Sequence, residues 1–254
     1  PVGRAAPAVN RRFETSMPGL YACGEAAGSE TVVTGLANAA TSGAKAGHWA
    51  ADFAAGAGPL GPDANPGHGH CDTLSVIVHA GGKPLLVDPG VSSYDDPGIR
   101  RRERGTAAHN TVMADGVEQS EIWGVFRVGR RAGVRNLQWG DQHGFAAHSG
   151  YDHIGLRHRR CLEIHPRELM IRDEVNGKAG RPCRAFFHFH PDVQPDITTR
   201  KASWPGGSMS WRGGRGTSRC GWIAAGFNQR VPATVLEIEF SSGETLITRI
   251  RVDT

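Results

Sequence analysis

Five cysteines are scattered through 254 residues, at positions 23, 71, 161, 183 and 220, and no two of them form a CxxC pair. An odd number at such wide spacing excludes a disulfide framework and zinc-finger modules as the organising principle. No apolar run approaches the ~20 residues that a membrane-spanning helix requires. No strict internal repeat is present, which sets aside solenoids and propellers. A leader peptide is not legible either. A chain whose first residue is Pro1 is expected to leave room for a leader or an upstream domain before it. After residue 66 no convincing helix is expected, because no apolar stretch keeps a 3.6-residue period.

Glycine, by contrast, is abundant. Its 35 residues fit many tight turns between short strands, and the 39% hydrophobic content is that of an ordinary globular chain. The length allows one large β domain or two smaller ones. The net charge is +4, and the sequence pI is about 9.0. The arginines behind this excess are dispersed, and no recognition motif for nucleic acid accompanies them. An anionic polysaccharide is the better partner, since guanidinium groups pair bidentately with carboxylate or sulfate.

Two regions of different character are expected. Residues 1–17 read as irregular. Residues 20–23 read as a short apolar strand and 34–55 as an alanine-rich helix. The Gly/Pro-rich stretch from Gly56 to Pro66 is a linker. The domain division is therefore 1–58, a linker over 59–66, and a β domain over 67–254. In the β domain Thr73–His79 and Pro84–Val87 flank the hairpin signal Ala80-Gly81-Gly82-Lys83. Asp115-Gly116 follows the strand Thr111–Ala114. His165-Pro166-Arg167 joins Arg157–Ile164 to Glu168–Asp173. Arg184–His190, Gly221–Phe227, Thr234–Phe240 and Leu246–Val252 complete the set, with Ser241-Ser242-Gly243-Glu244 turning the last pair. Many short strands at regular spacing predict a β-sandwich-like stack of antiparallel sheets, preceded by a short strand–helix segment.

The chemistry concentrates in Gly67-His68-Gly69-His70-Cys71-Asp72, then Val87-Asp88-Pro89-Gly90 and Ala108-His109-Asn110-Thr111. If the first of these is a strand, alternation puts His68, His70 and Asp72 on one face and Cys71 on the other. His-x-His is then a two-point chelate, and Asp88 and His109 complete a shell suited to zinc. The plainer alternative is a hydrogen-bonded strand edge. The run Arg100-Arg101-Arg102-Glu103-Arg104 is either a solvated loop or a grip for a substrate carboxylate, since it leads into the strand bearing His109. His188 and His190 share a strand face and read as structural, whereas His148 has the reach to approach a cleft. Trp123, Trp204, Trp211 and Trp222 suit sugar stacking or, more commonly, core and rim packing.

From about Pro62 onward the chain resembles the C-terminal part of the heparinase II/III-like family of polysaccharide lyases. The resemblance is carried by Gly67-His68-Gly69-His70-Cys71-Asp72-Thr73-Leu74-Ser75, by Leu85-Leu86-Val87-Asp88-Pro89-Gly90, and by Arg104-Gly105-Thr106-Ala107-Ala108-His109-Asn110-Thr111-Val112. Ser120-Glu121-Ile122-Trp123-Gly124-Val125-Phe126-Arg127 and Ala185-Phe186-Phe187-His188-Phe189-His190-Pro191-Asp192-Val193 follow in the same order. The resemblance implies a β-sandwich-like domain and β-elimination of uronic-acid polysaccharides. It makes His68 the catalytic base or carboxylate neutraliser, and His70, Asp88 and His109 the ligands of a structural zinc. Arg104 becomes a substrate-binding residue. A periplasmic or secreted location is also implied. In that family the other cleft wall is an α/α toroid that supplies a tyrosine and a carboxylate-binding Asn or His. No residue of this chain matches the toroid tyrosine, so activity without a toroid is expected to be weak or absent.

Thr15-Ser16-Met17-Pro18-Gly19-Leu20-Tyr21-Ala22-Cys23-Gly24-Glu25 resembles something else, the last strand of fumarate-reductase-type flavoproteins. The dinucleotide fingerprint is missing, so FAD binding by this chain is disfavoured. Three functions thus remain as expectations. The first is the β domain of a polysaccharide lyase. The second is a non-catalytic module that binds acidic polysaccharide, and the third is a fragment of an FAD-dependent oxidoreductase.

Overall fold

The computed structural model describes residues 66–80, 82–139 and 142–253. The expected strand at 20–23, the helix over 34–55, the flavoprotein-like segment and the linker as far as residue 65 lie outside these residues. In chain order the elements are β1 (Val78–Ala80), β2 (Lys83–Leu86), α1 (Pro97–Arg104), β3 (Val112–Ala114), β4 (Ile122–Gly124) and β5 (Arg127–Val128). Next come β6 (Val134–Trp139), β7 (His143–His148), β8 (Leu156–His165), β9 (Glu168–Gly177), β10 (Pro182–His188) and β11 (Asp196–Ile197). The series ends with β12 (Lys201–Trp204), β13 (Gly207–Arg212), β14 (Arg215–Gly226), β15 (Gln229–Ser241) and β16 (Thr245–Val252).

Two antiparallel sheets dominate. One has eight strands in the order β11-β12-β13-β16-β9-β8-β7-β6, and the other has four, β14-β15-β10-β3. Period-two patterning explains the stacking. Along β8 the buried positions are Leu156, His158, Arg160 and Leu162, and along β9 they include Leu169, Ile171, Asp173 and Val175. Leu246 and Ile250 of β16 continue that inner face. Ala185 and Phe187 of β10, with Leu236 and Ile238 of β15, meet it from the smaller sheet in one core cluster. Each such Leu, Ile or Phe taken out of water stabilises the stack by about 1.5–3 kcal/mol.

Two sequence expectations need correction. A helix does follow residue 66. α1 starts at Asp96, whose carboxylate accepts from the Gly98 and Ile99 amides at 2.8 and 2.9 Å, and Pro97 occupies the first helical turn. And residues 67–76 are not a strand. Pro66–His68 is a 3-10 turn and the chain stays irregular until Val78, so His68 and His70 do not share a strand face.

The hairpin β1–β2 attaches to the end of β10 through a bridge between Leu86 and Phe189. β10 also pairs with β3, with Ala185 opposite Val112. The end of β2, the start of β3 and the end of β10 therefore converge, and the irregular segment 67–76 lies across them.

Candidate active site at the convergence of three strand ends

Asp88 leaves β2 in an Asp-Pro-Gly turn. Gly90 adopts φ +70°, in the left-handed region, and its amide donates to Asp88 Oδ1 at 2.9 Å. This fixes the carboxylate so that Oδ2 meets His109 Nδ1 at 2.6 Å. Burial favours the uncharged form of both groups, but each is the other's counter-charge. The Asp88 carboxyl is held below its usual range by His109, and the His109 imidazole is raised by Asp88.

His70 is buried, and its ring centre lies 5.2 Å from that of His109. Burial, reinforced by His109, pushes His70 down to about 3, so it is neutral at ordinary pH. Among the described residues both His70 Nε2 and His109 Nε2 are buried without a hydrogen-bond partner. His188 stands nearby at the end of β10. It is pushed down to about 3 by burial, then by His109, and its Nε2 contacts the Ala107 carbonyl at 3.1 Å.

Two unpartnered imidazole nitrogens, one on a ring oriented by a carboxylate, fit a borderline cation such as zinc. A third donor is less evident. Asp88 is engaged by His109 and Gly90. Among the described residues no three His, Cys, Asp or Glu side chains converge as a metal-binding group.

His68 is the exposed member of this cluster. Its ring sits 6.0 Å from Tyr94 and 5.7 Å from Phe126, centre to centre, and those two rings stack on each other at 6.2 Å. Arg104 is fully buried. Its guanidinium donates to Gly69 O (2.7 and 2.9 Å), Val125 O (2.6 Å) and Gly124 O (3.3 Å). It thereby ties the His68–His70 segment to the β4–β5 hairpin, a positioning geometry with no exposed face for substrate. Cys71, also buried, donates its thiol to Ser120 O at 3.3 Å, and burial pushes it up to about 12.

Several organising residues were not legible as such. Asn110 is completely buried. Its amide donates to Val76 O (2.7 Å) and Val87 O (3.0 Å), and its Oδ1 accepts from the His188 amide (2.7 Å). One side chain thus pins all three strand ends. Behind it Arg160, opposite Asp173 in the β8–β9 register, donates to Asp173 at 2.7 and 3.0 Å, to Leu74 O at 2.7 Å and to Asn110 O at 2.6 Å. Asn110 stands inside a motif that carried the resemblance and Arg160 ends the charged run Arg157-His158-Arg159-Arg160, but neither position announced these contacts. His148 does not reach the cleft. It is fully buried, accepts from the Gly150 amide and contacts His158. Trp211 is core, whereas Trp123 is exposed beneath Arg127, and Trp222 is flanked by Arg102 and Arg230 at 5.0 and 5.4 Å.

A family model described as "Heparinase II/III-like, C-terminal" matches residues 39–252. Its start lies upstream of the linker expected at 59–66. A search of curated proteins returns no match. Among solved structures, a heparinase III gene product with methylated lysines superposes with a TM-score of 0.64 at 18% identity, covering 81% of this chain and 33% of its own. Heparan sulfate lyase HepC from Pedobacter heparinus gives 0.60 at 16% identity, covering 78% and 32%. A structure titled heparinase III gives 0.58 at 17% identity, covering 76% and 32%. At these identities the likeness is one of fold, and the chain spans about a third of the length of these proteins.

Proposed function

Because the chain belongs to the heparinase II/III-like C-terminal family, we propose that it forms the β wall of a polysaccharide lyase acting on uronic-acid-containing polysaccharides by β-elimination. In that reaction a base removes the proton at C5 of the uronate, the C4–C5 double bond forms, the C4–O bond breaks, and the leaving oxygen takes a proton. The observation that carries the reading is His68, an exposed imidazole beside two stacked aromatic rings at the edge of a buried polar cluster. It has the access a base or a carboxylate neutraliser needs. The buried His70 and His109 do not, and the half-buried Asp88 is engaged by His109.

In this reading His70 and His109 hold a structural zinc by nitrogen, with Asp88 contributing an oxygen or orienting His109. The metal would fix the loop that carries His68. Proton donation to the leaving oxygen is assigned to an α/α toroid, since no tyrosine of this chain matches the motif that supplies it. The chain alone is therefore weak or inactive. A periplasmic or secreted location suits an enzyme whose substrate is a polymer outside the cytoplasm.

The test is ultraviolet absorbance of unsaturated uronate product on acidic polysaccharides, for the chain alone and joined to the toroid of a solved relative. Product from the joined protein, lowered about 10²–10⁴-fold by His68→Ala, supports the assignment. An unchanged rate in that variant removes His68 from catalysis.

A second reading, a non-catalytic module for acidic polysaccharide, is favoured by the surface arginine–indole pairs at Trp123 and Trp222. It predicts salt-sensitive binding with no product from the joined protein.

A further inference from the structure

The buried face of α1 is not apolar. It consists of Arg100, Glu103 and Arg104. Two of these charges have evident partners. Arg104 is engaged by backbone carbonyls, as described. The Glu103 carboxylate accepts from the Ser92 amide at 2.8 Å, from the Ser92 hydroxyl, and from Trp222 Nε1 at 3.1 Å.

Arg100 differs. It is fully buried, yet all three guanidinium nitrogens lack a hydrogen-bond partner among the described residues. The Glu103 charge acts on it from a distance, but a buried cation with no direct hydrogen bond or ion pair is costly, and proteins seldom keep one without a use for it. Its surroundings suggest the use. The guanidinium carbon lies 4.5 Å from the centre of the Tyr94 ring and 5.7 Å from that of Phe126. These are the same two rings that flank the exposed His68. Phe126 is itself half-exposed and belongs to the turn between β4 and β5, so it is the wall whose movement access to Arg100 requires. A cationic floor, two aromatic walls and an imidazole at the rim suit a sugar ring bearing an oxyanion. The planar fork takes the anion, and the rings take the pyranose face.

We propose that Arg100, rather than Arg104, is the anion-recognition residue of this cleft wall, taking a carboxylate or sulfate of an acidic glycan beside the Tyr94–Phe126 stack and His68. The assignment rests on the lyase-wall reading above and names the residue that grips substrate within it.

The test compares the full chain with Arg100→Met and with Arg101→Met, an exposed neighbour that loses the same charge. Affinity is measured for heparan sulfate, its fully desulfated form and its carboxyl-reduced form, with a melting curve for each protein. Arg100→Met is expected to bind at least about 10-fold more weakly while melting at or above the parent, because an unpartnered buried charge has been replaced by an apolar stem. Arg101→Met is expected to bind nearly as the parent does. Dependence on Arg100 that survives desulfation identifies the carboxylate as the anion, and dependence that survives carboxyl reduction identifies the sulfate. The inference is overturned, with the lyase-wall reading left standing, if Arg100→Met binds all three polymers like the parent. It is overturned likewise if Arg101→Met loses as much, or if Arg100→Met melts well below the parent or fails to fold. A parent chain that binds none of the polymers overturns the lyase-wall reading and this assignment together.

Discussion

At the scale of single residues, the polar side chains divide between those that hold the site and those left free to act. Asn110 belongs to the first group. Asn110→Ala leaves two buried carbonyls and one buried amide without partners, and each such group costs about 1–3 kcal/mol. The chain is expected to lose about 3 kcal/mol or more, read as a lower urea midpoint with an unchanged slope. The histidines test the metal. Elemental analysis is expected to find about one zinc per chain, lost in both His70→Ala and Asp88→Ala. A metal-free parent with variants of equal stability removes zinc from the account. The residue identities His68, His70, Asp88 and His109 were legible because types with the right chemistry stood in motif order. What could not be read was which nitrogens would be orphaned. Spacing along the chain says nothing of the 5.2 Å between two rings from segments 39 residues apart.

At the scale of elements, α1 shows where patterning fails. Its start is Asp96-Pro97, a capping residue followed by proline, although no helix was expected there. Its interior, Gly-Ile-Arg-Arg-Arg-Glu-Arg, carries no apolar stripe, because the face it buries is charged. A period search for hydrophobic residues therefore passes over it. Asp96→Ala removes two hydrogen bonds to the first turn and is expected to cost about 0.5–2 kcal/mol. Since α1 presents Arg100, the same variant should also weaken polymer binding, measurable in the same assay. The segment 67–76 failed in the opposite sense. Its alternation looked like a strand, but its partners are side chains such as Asn110, Arg104 and Arg160 rather than a neighbouring strand. The long hairpin β8–β9 was legible because turn residues and period-two burial agree there, whereas the mostly exposed β14 carries no such alternation and only its second half was read as a strand.

At the scale of the whole molecule, the two sheets enclose a polar thread within an apolar core. The Gly150 amide donates to His148, which contacts His158, which contacts Asp173 at 2.7 Å. Burial lowers both histidines below the ordinary 6.5, and His158 further lowers His148. The sign follows directly. Above pH 6.5 both histidines are neutral in the folded and unfolded chain, and the stability is fully present. As the pH falls below 6.5 the unfolded chain takes up protons that the folded chain refuses, and stability declines. Asp173 works in the same sense further down. Burial opposes its charge, but Arg160 holds the carboxyl at about 2, so its contribution is lost as pH falls from 3.8 toward that value. Denaturation midpoints are expected to drop between about pH 7.5 and about pH 5.5, at up to about 1.4 kcal/mol per pH unit for each proton taken up. His148→Asn is expected to flatten that slope. An unchanged slope assigns the pH response to other groups.

Arg160 reaches from β8 to carbonyls 86 and 50 residues earlier in the chain, at Leu74 and Asn110. Its own hairpin closes locally, but those two acceptors are gathered only when the sheets have assembled. Loop-closure entropy must be met before such distant contacts return anything. The cluster of His70, Asp88 and His109 is thus a late product of folding. Refolding followed by hairpin signals should run ahead of refolding followed by zinc uptake, and a chain interrupted midway would carry well-formed strands with no site between them.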